Sequence, residues 1–531
     1  MKGARLIAAA ALAAGLLVPG WVSATPAGAS TDTGHGLVVR TDRGLIQGKS
    51  AEGIDQWLGV PYAAPPVGAL RWAAPEPAAR WTGVRQATAY GGRCAQLANG
   101  NGPRVDNEDC LYLNVYAPPG RFPGRLPVLF MIHGGGLTTG AGDQHDGSLI
   151  VNTDHIIVVS INYRLGPFGF LTIPGLGGSS ALTASGNYGL LDQEAALRWV
   201  HRNIASFGGD PGKVTIDGES AGGWSVCALM TSPLARGLFR GAIMQSGSCT
   251  TQTVATAQAT GLAFAKQAGC ADPVTAVACL RALPEQTLLD ASAGYSAQFT
   301  SGGPELPVPA AQAVASGNYN RVPLLMGDNH NEGRTFSQGL TALTQQQADQ
   351  LVTQIYGAAR APAILARYPW TSYPSPYTAA YMIGDIWTDS GFLTGIGGCT
   401  TQNQAAVFAG STRTFMYQFD DLHAPGLNND HPGYEWGAGH AMELAYLWPS
   451  FNNGFSLYDL LTPAQLELSR QMVRYWGAFT TLGAPVVPGQ PLWPRYTSGQ
   501  LMSLRPGGQT QTITAGTYAA EHQCSFWNAG G

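Results

Sequence analysis

The pentapeptide Gly218–Gly222 places Ser220 among small residues, in a pattern that could carry nucleophilic chemistry. The apolar run 214–217 before it predicts a strand, and residues 221–229 after it predict a helix. A serine between a strand and a helix is held in a strained turn, and its flanking glycines leave room for neighbouring backbone. A structural turn with an incidental serine is the alternative, because such motifs recur in a chain with 70 glycines. The flanking elements favour a nucleophile.

A second motif, His133 followed by three glycines, ends the predicted strand 126–132. A reaction at a carbonyl needs donors aimed at the developing oxyanion, and glycine lets backbone N–H groups approach without a Cβ. The N–H groups of Gly135, Gly136 and Ala221 are therefore predicted to form an oxyanion hole. Taken alone, the glycine run is equally consistent with a plain loop.

A serine hydroxyl needs a base to take its proton, and the base needs a third group to orient it. Where the order along the chain is serine, acid, histidine, Glu332 is a candidate acid because it follows the predicted strand 322–327. His440 lies in a loop of small residues before an apolar segment and is the favoured base. The other histidines after the serine resemble solvated loop or terminal residues: His330, His423, His431 and His522. Spacing alone leaves the choice of His440 open.

The elements that would position these residues alternate between apolar strands and amphipathic helices. Strands are predicted at 126–132, 156–162, 214–217, 242–245 and 322–327, with helices at 193–203 and 221–229. This alternation predicts an α/β fold whose mostly parallel central sheet is flanked by helices on both faces. The helical and irregular segments 249–322 and 340–414 are predicted to form a lid or cavity wall over the strand ends.

The composition is that of a folded chain without a polyanionic partner. Of 531 residues, 45% are hydrophobic and 12% are charged, and the formal net charge is −4. Such a chain can bury a large core, and it has neither the basic runs that bind nucleic acid nor those that bind anionic membranes.

The first residues predict export. Lys2 and Arg5 precede an apolar run, 6–18, and Ala27-Gly28-Ala29 fits a cleavage site for a signal peptide. We therefore expect a signal peptide at 1–29, a single mature domain at 30–531, and a secreted protein without a stable membrane anchor. An uncleaved N-terminal anchor is the alternative.

Eight cysteines in an exported chain suggest disulfide bridges. Cys94 and Cys110 bracket one short loop, Cys270 and Cys279 bracket another, and Cys399 and Cys524 could tie down the C-terminus. Cys227 and Cys249 are left over, and Cys227, in an apolar predicted helix, is a candidate buried free thiol. No cysteine spacing resembles a zinc site, and no metal is expected.

Several longer motifs resemble the type B carboxylesterase and lipase family, α/β-hydrolases that include the cholinesterases. The resemblance extends from about residue 38 to 527, and the motifs keep their order along the chain. They are EDCLYLNV at 108–115, NYR at 162–164, FGFL at 168–171, NYGLLDQ at 187–193, FGGDP at 207–211 before GESAGG, GDNHNEG at 327–333 and GAGHAMEL at 437–444.

The resemblance implies an ester hydrolase with an acyl-enzyme intermediate and no cofactor, acting on small-molecule esters. It places the catalytic triad at Ser220, Glu332 and His440, and the oxyanion hole at Gly135, Gly136 and Ala221. It implies the pairs Cys94–Cys110, Cys270–Cys279 and Cys399–Cys524. Glu219 and Glu443 would tune His440 without reacting, and Ser246 would hydrogen-bond the acid.

Two departures from the family bear on the substrate. The loop 95–109 contains no aromatic residue, which argues against the cation–π binding of a choline ester. The segment 301–304 also differs from the family's usual acyl-side sequence.

Three other functions are to be weighed against soluble-ester hydrolysis: an interfacial lipase or polyester hydrolase, an amidase or peptidase, and a non-catalytic binding or adhesion protein. A complete triad disfavours the last.

Overall fold

Strands and helices alternate in the middle of the chain, as the sequence predicts, whereas seven strands precede the first α-helix. The computed structural model describes residues 37–120, 123–176, 186–451 and 456–529. The predicted signal peptide, 1–29, lies outside these residues. The strands are β1 (Val38–Arg40), β2 (Leu45–Gln47), β3 (Lys49–Ala51), β4 (Ile54–Pro61), β5 (Val84–Gln86), β6 (Tyr112–Ala117), β7 (Leu126–Ile132), β8 (Ile157–Ile161), β9 (Gly209–Glu219), β10 (Gly241–Gln245), β11 (Gln252–Thr253), β12 (Thr300–Ser301), β13 (Leu324–Asn329), β14 (Thr414–Phe419), β15 (Gln500–Leu504) and β16 (Gln511–Thr514).

The helices connect these strands and cover them. They are α1 (Ser148–Asp154), α2 (Gly166–Phe170), α3 (Tyr188–Asn203), α4 (Ala221–Thr231), α5 (Val254–Gln267), α6 (Ala276–Ala282), α7 (Glu285–Asp290), α8 (Ala310–Ala315), α9 (Gly333–Ser337), α10 (Gln345–Tyr356), α11 (Ala361–Arg367), α12 (Thr378–Ser390), α13 (Gly398–Ala409), α14 (Leu444–Leu447), α15 (Pro463–Leu482), α16 (Ala515–Glu521) and α17 (Cys524–Asn528).

The central sheet has eleven strands within the described ranges, in the order β16-β15-β14-β13-β10-β9-β7-β8-β6-β4-β3. The run from β15 to β8 is parallel, and the strands at both edges are antiparallel. This is the α/β-hydrolase architecture that the sequence predicts. The predicted strand 214–217 is longer than expected, since β9 spans Gly209–Glu219.

The parallel strands bury both faces, and consecutive residues therefore enter two different cores. In β7, Phe130 and Ile132 join the cluster that contains α3 and α4, whereas Leu129 and Met131 join the cluster that contains α15 and α1. Successive strand residues point to opposite faces, so a continuous apolar run such as β7 can satisfy both layers at once.

The parallel register brings the carboxyl ends of four strands to one edge of the sheet. Gly218 in β9 lies beside Ile132 in β7, and Glu219 lies beside Gln245 in β10. Gln245 in turn lies beside Gly327 in β13. The loops after these strands carry the candidate site residues, and the sheet register therefore determines which loops can meet.

The two segments between the core elements are helical, as predicted. The first holds α5 to α8 and the second holds α10 to α13. Only the second supplies lining residues to the cavity beside Ser220 in the described part of the chain, through Leu393, Thr394 and Ile396. Of the two segments predicted to form a cavity wall, the second therefore does so.

All eight cysteines lie in described residues, and all are paired. The pairs implied by the family resemblance are present: Cys94–Cys110, Cys270–Cys279 and Cys399–Cys524. The suggestion that Cys227 is a free thiol is wrong, because it is bonded to Cys249 across 22 residues. The helix α4 places Cys227 against the segment that leaves β10, and spacing alone could not reveal this.

The Cys227–Cys249 bond gives a direct prediction about thiol content and stability. We expect no thiol to react in the denatured, unreduced protein, whereas an unpaired Cys227 and Cys249 would give two reactive thiols.

The double variant Cys227→Ala/Cys249→Ala should lose about 3 kcal/mol of unfolding free energy, because the unfolded chain is no longer constrained and buried packing is lost. Urea denaturation measures the loss. Cys270→Ala/Cys279→Ala, which opens a loop of only 9 residues, is the matched control and should lose less.

Candidate active site

Ser220 occupies a strained backbone conformation between β9 and α4. Its φ is 57° and its ψ is −122°, in a region that non-glycine residues rarely adopt. The Ser220 N–H donates to the Gln245 carbonyl at 2.9 Å, which ties the turn to β10. Such strain costs about 1–3 kcal/mol and persists only where the surroundings enforce it. The turn presents the serine at the carboxyl edge of the sheet.

Two positions near Ser220 must be glycine, because neighbouring backbone atoms lie too close for a Cβ. A Cβ at Gly218 would lie 2.4 Å from the Gly222 carbonyl carbon, and one at Gly222 would lie 2.1 Å from the Ile132 carbonyl oxygen. Both distances are far shorter than any van der Waals contact. The first and last positions of the pentapeptide must therefore be glycine, because helix α4 starts in contact with β7 and β9.

His440 is held by a hydrogen bond to Glu332. Its Nδ1 lies 2.6 Å from Glu332 Oε2, and both side chains are buried. An ionised carboxylate only accepts hydrogen bonds, so Nδ1 carries the proton and Nε2 of the neutral ring keeps its lone pair. That arrangement suits a base. Spacing left His440 as one choice among several histidines, and the structure places it beside the predicted acid.

Glu332 is enclosed by donors from two strands. Ser246 donates its hydroxyl to Glu332 Oε1 at 2.5 Å, and the Asn329 N–H donates to the same oxygen at 2.8 Å. With the bond from His440, the carboxylate accepts three hydrogen bonds, which offset the cost of burying its charge. Ser246 thus contacts the acid, as the sequence analysis expects.

A second carboxylate faces the other side of the His440 ring. Glu219 Oε1 lies 3.2 Å from His440 Nε2 without hydrogen-bond geometry. Burial by itself lowers the pKa of His440, but Glu219 and Glu332 outweigh it and raise this pKa to about 9. Burial also raises the pKa of Glu219 well above its ordinary value. A negative charge on Glu219 would therefore favour the imidazolium form of His440, as the sequence analysis expects.

Glu443 is connected through Asn329 to the loop that carries His440. The Asn329 amide donates to the Glu443 carboxylate and, at 2.7 Å, to the Gly439 carbonyl. Burial, reinforced by the charge of Glu332, raises the pKa of Glu443 to about 7. Asn329 therefore fastens the loop that carries His440 to the end of β13. Sequence reasoning missed this asparagine, although it lies in the same motif as Glu332.

The glycine loop after β7 lies beside Ser220 and has free backbone donors. Gly135 and Gly136 have φ values of 98° and 63°, which favour glycine, and both residues line the cavity that contains Ser220. Neither N–H donates a backbone hydrogen bond within the described ranges. Ala221 is the first residue of α4, and the first N–H groups of a helix have no partner inside it. Among the described residues, none of the three predicted N–H groups donates a hydrogen bond to another backbone group.

A cavity of about 400 Å³ contains both Ser220 and His440. One wall consists of Trp224 and Ile396, which pack into the same core as α4. Other lining residues belong to the core around α15, and they are Leu427, Ala441, Leu444 and Phe451. Phe336 lies over the His440 ring, with centroids 4.8 Å apart. Sequence reasoning missed these lining residues, and three of them, Ile396, Leu427 and Phe451, come from loops far along the chain from Ser220.

Two histidines set aside as solvated loop or terminal residues are in contact with carboxylates. His522 is buried, and its Nδ1 lies 2.8 Å from Asp389 Oδ1. His330 lies 2.7 Å from Asp420 Oδ1 and is partly exposed. The expectation that His522 is solvated is therefore wrong, and neither histidine lines the cavity that contains Ser220.

Two absences within the described residues bear on the site. No group of three or more His, Cys, Asp or Glu side chains there could hold a metal ion. In the same ranges, no helix is both long and apolar enough to cross a membrane.

Comparison with known proteins relates this geometry to a family. The sequence profile described as the carboxylesterase family matches residues 35–527. The para-nitrobenzyl esterase of Bacillus subtilis is 34% identical, covering 86% of this chain and 92% of its own. The liver carboxylesterase of Sus scrofa is 35% identical, covering 92% of each chain.

Solved structures give the same relationship. A PNB esterase superposes with a TM-score of 0.75 at 33% identity, covering 91% of this chain and 99% of its own. A Geobacillus stearothermophilus carboxylesterase superposes with a TM-score of 0.76 at 31% identity, covering 92% of this chain and 100% of its own. The profile spans nearly all described residues, and the folds agree over the same length. The chain belongs to the carboxylesterase family and is a carboxylic ester hydrolase.

Proposed function

We propose that this hydrolase cleaves esters by two acyl transfers at Ser220, with His440 as base and Glu332 as its orienting acid. The observation that carries the proposal is the His440 ring, whose Nδ1 is bound to Glu332 and which lines one cavity with Ser220. The strained backbone at Ser220 and the buried acid Glu332 both lower the stability of the fold. Such features are expected where a nucleophile must be activated.

In the first half of the reaction, His440 Nε2 removes the Ser220 proton while the serine oxygen attacks the ester carbonyl. The carbonyl oxygen becomes an oxyanion, which the N–H groups of Gly135, Gly136 and Ala221 bind. When the tetrahedral intermediate collapses, the imidazolium returns its proton to the leaving alcohol. Ser220 then carries the acyl group as an ester.

In the second half, water takes the place of the alcohol. His440 accepts a proton from water, the hydroxide attacks the acyl carbonyl, and Ser220 leaves with the proton that the imidazolium returns. Glu332 holds the ring in one tautomer throughout, and Glu219 and Glu332 stabilise its charged form. Most of the cavity surface is apolar, although many of the lining residues are polar, and this surface suits an uncharged ester.

We also propose that the protein is secreted. Four disulfide bonds fit an oxidising compartment. The signal sequence predicted at 1–29 would deliver the chain there.

The first prediction from this mechanism concerns Ser220→Ala. We expect kcat/KM for a chain-length series of p-nitrophenyl esters to fall at least about 10⁴-fold, because the acyl-enzyme cannot form. Release of p-nitrophenolate measures the rates. Ser316→Ala, an exposed serine at the end of α8, is the matched control and should retain full activity. No activity in either protein would favour the binding-protein alternative, and equal rates in both would show that Ser220 is not the nucleophile.

The same series distinguishes an esterase from an interfacial lipase. An esterase should prefer short acyl chains and show no rise in rate above the solubility limit of the ester. A sharp rise at that limit would identify interfacial activation.

The second prediction concerns pH. Only the neutral His440 imidazole accepts the Ser220 proton, so kcat/KM should rise with pH through the pKa of this group in the free enzyme. Glu219→Gln removes a carboxylate that favours the imidazolium. The pKa of His440 should then fall, and the rising limb should move to lower pH by about one pH unit.

Rates of p-nitrophenyl butanoate hydrolysis between about pH 5 and 10 measure this shift. Glu467→Gln, on the exposed surface of α15, is the matched control and should leave the limb in place. A limb that stays at the same pH in Glu219→Gln would show that Glu219 does not act on His440 through its charge.

A further inference from the structure

Trp224 is the largest side chain that lines the cavity beside Ser220, and the mechanism gives it no role. It lies on the first turn of α4, and its backbone N–H donates to the Ser220 carbonyl at 2.9 Å. A side chain in a helix leans back over the turn that precedes it. Here that turn holds Ser220 and Ala221, so the indole adjoins the residues that would carry the acyl group and bind its oxyanion.

Helix α4 cannot shift to make more room beside Ser220. Gly222 contacts the Ile132 carbonyl in β7, and a Cβ at Gly223 would lie 2.7 Å from the Gln245 carbonyl oxygen in β10. The first turn of α4 is therefore packed against the backbone of two strands. The indole of Trp224 is itself packed in the core that contains α4, and a close-packed core resists its rotation.

The Cys227–Cys249 bond connects α4 to the rest of this wall. Cys227 lies three residues after Trp224, and the hydroxyl groups of both neighbours of Cys249 donate to the Thr394 carbonyl. Two residues further along the chain, Ile396 lines the cavity in the same core as Trp224. A covalent bond and two hydrogen bonds thus hold both lining residues of this wall in a rigid frame.

Exposure distinguishes this wall from the side of the cavity that reaches solvent. Trp224 is 8% exposed and Ile396 is 2% exposed, whereas Phe336 is 40% exposed. Phe336 is the ring that lies over His440. The cavity is therefore closed beside Trp224 and reaches solvent on the side of Phe336 and His440.

The two halves of an ester make different demands on such a cavity. The alcohol oxygen must lie within reach of His440, which returns the proton to it, and the alcohol must then leave for solvent. The acyl group instead stays bonded to Ser220 while water enters. The alcohol therefore fits the side of His440 and Phe336, and the acyl group fits the closed side, against Trp224.

We propose that Trp224 is a specificity-determining residue that limits the length of the acyl chain, so that the preferred substrates are esters of short-chain acids. The indole occupies the space that a longer chain would need, and the rigid frame around it prevents the wall from yielding. This inference rests on the proposed function, because it requires an acyl group on Ser220. Trp224 takes no part in the proton transfers.

The test measures the acyl chain and the alcohol chain separately, with each ester below its solubility limit. The acyl ratio is kcat/KM for p-nitrophenyl octanoate divided by that for p-nitrophenyl acetate, and it should be less than one in the wild type. The alcohol ratio compares octyl acetate with ethyl acetate in the same way. Trp224→Ala should raise the acyl ratio at least about tenfold, because it makes room for the chain, and change the alcohol ratio by less than about twofold.

Two further variants control for loosened packing and for misfolding. Leu229→Ala removes a buried side chain from the same helix and the same core, at a position that does not line the cavity, and it should leave the acyl ratio unchanged. Trp224→Phe keeps an aromatic ring in the core and should raise the acyl ratio about threefold. It decides the matter if thermal unfolding shows that Trp224→Ala is poorly folded.

The outcomes separate failure of this inference from failure of the mechanism. An unchanged acyl ratio in the folded Trp224 variants overturns the inference, and so does a wild-type acyl ratio above one. A rise in the alcohol ratio as large as that in the acyl ratio also overturns it, since the alcohol would then lie beside Trp224. If the wild type hydrolyses p-nitrophenyl acetate no faster than Ser220→Ala does, the proposed function fails as well.

Discussion

The buried hydrogen bond between Glu332 and His440 is the interaction on which the rest of the site depends. A carboxylate inside a protein is unstable unless donors surround it, and Glu332 finds its donors on His440, Ser246 and the Asn329 backbone. These groups come from the ends of β10 and β13 and from the loop after β14. Satisfying one charge therefore brings three separate parts of the chain to the same point, beside the turn that holds Ser220.

The glycines around the site are required because backbone segments pack closely at this edge of the sheet. Neighbouring parallel strands end at one edge, and α4 must start directly against β7, with Gly222 in contact with the Ile132 carbonyl. Backbone approaches of this kind exclude a Cβ, and the positive φ values of Gly135 and Gly136 turn the adjacent loop back over the serine. The sheet supplies rigidity, and the glycines allow the close backbone approach that the proposed oxyanion hole requires.

Local patterns predicted the strands and the serine turn well, because a buried parallel strand and a helix start each have a signature within a few residues. The choice of His440 needed more than spacing, since His330 and His522 also lie beside carboxylates. Partners that depend on tertiary contact were missed or left open. Cys227 meets Cys249 only once α4 packs beside β10. Leu393 and Phe451 line the cavity from distant loops, and no pattern within either loop marks them.

The cavity holds imidazoles in opposite electrostatic environments, and this difference decides which of them can carry a charge. His440 lies between two carboxylates, which raise its pKa to about 9 and favour its charged form. His145, which lines the same cavity, lies among aromatic rings, and burial lowers its pKa to about 3. A ring whose charge is stabilised can carry a proton between serine and leaving group, whereas a ring that stays neutral can only donate or accept a hydrogen bond. Neighbouring side chains, rather than the imidazole itself, thus determine which ring can carry a charge within one cavity of about 400 Å³.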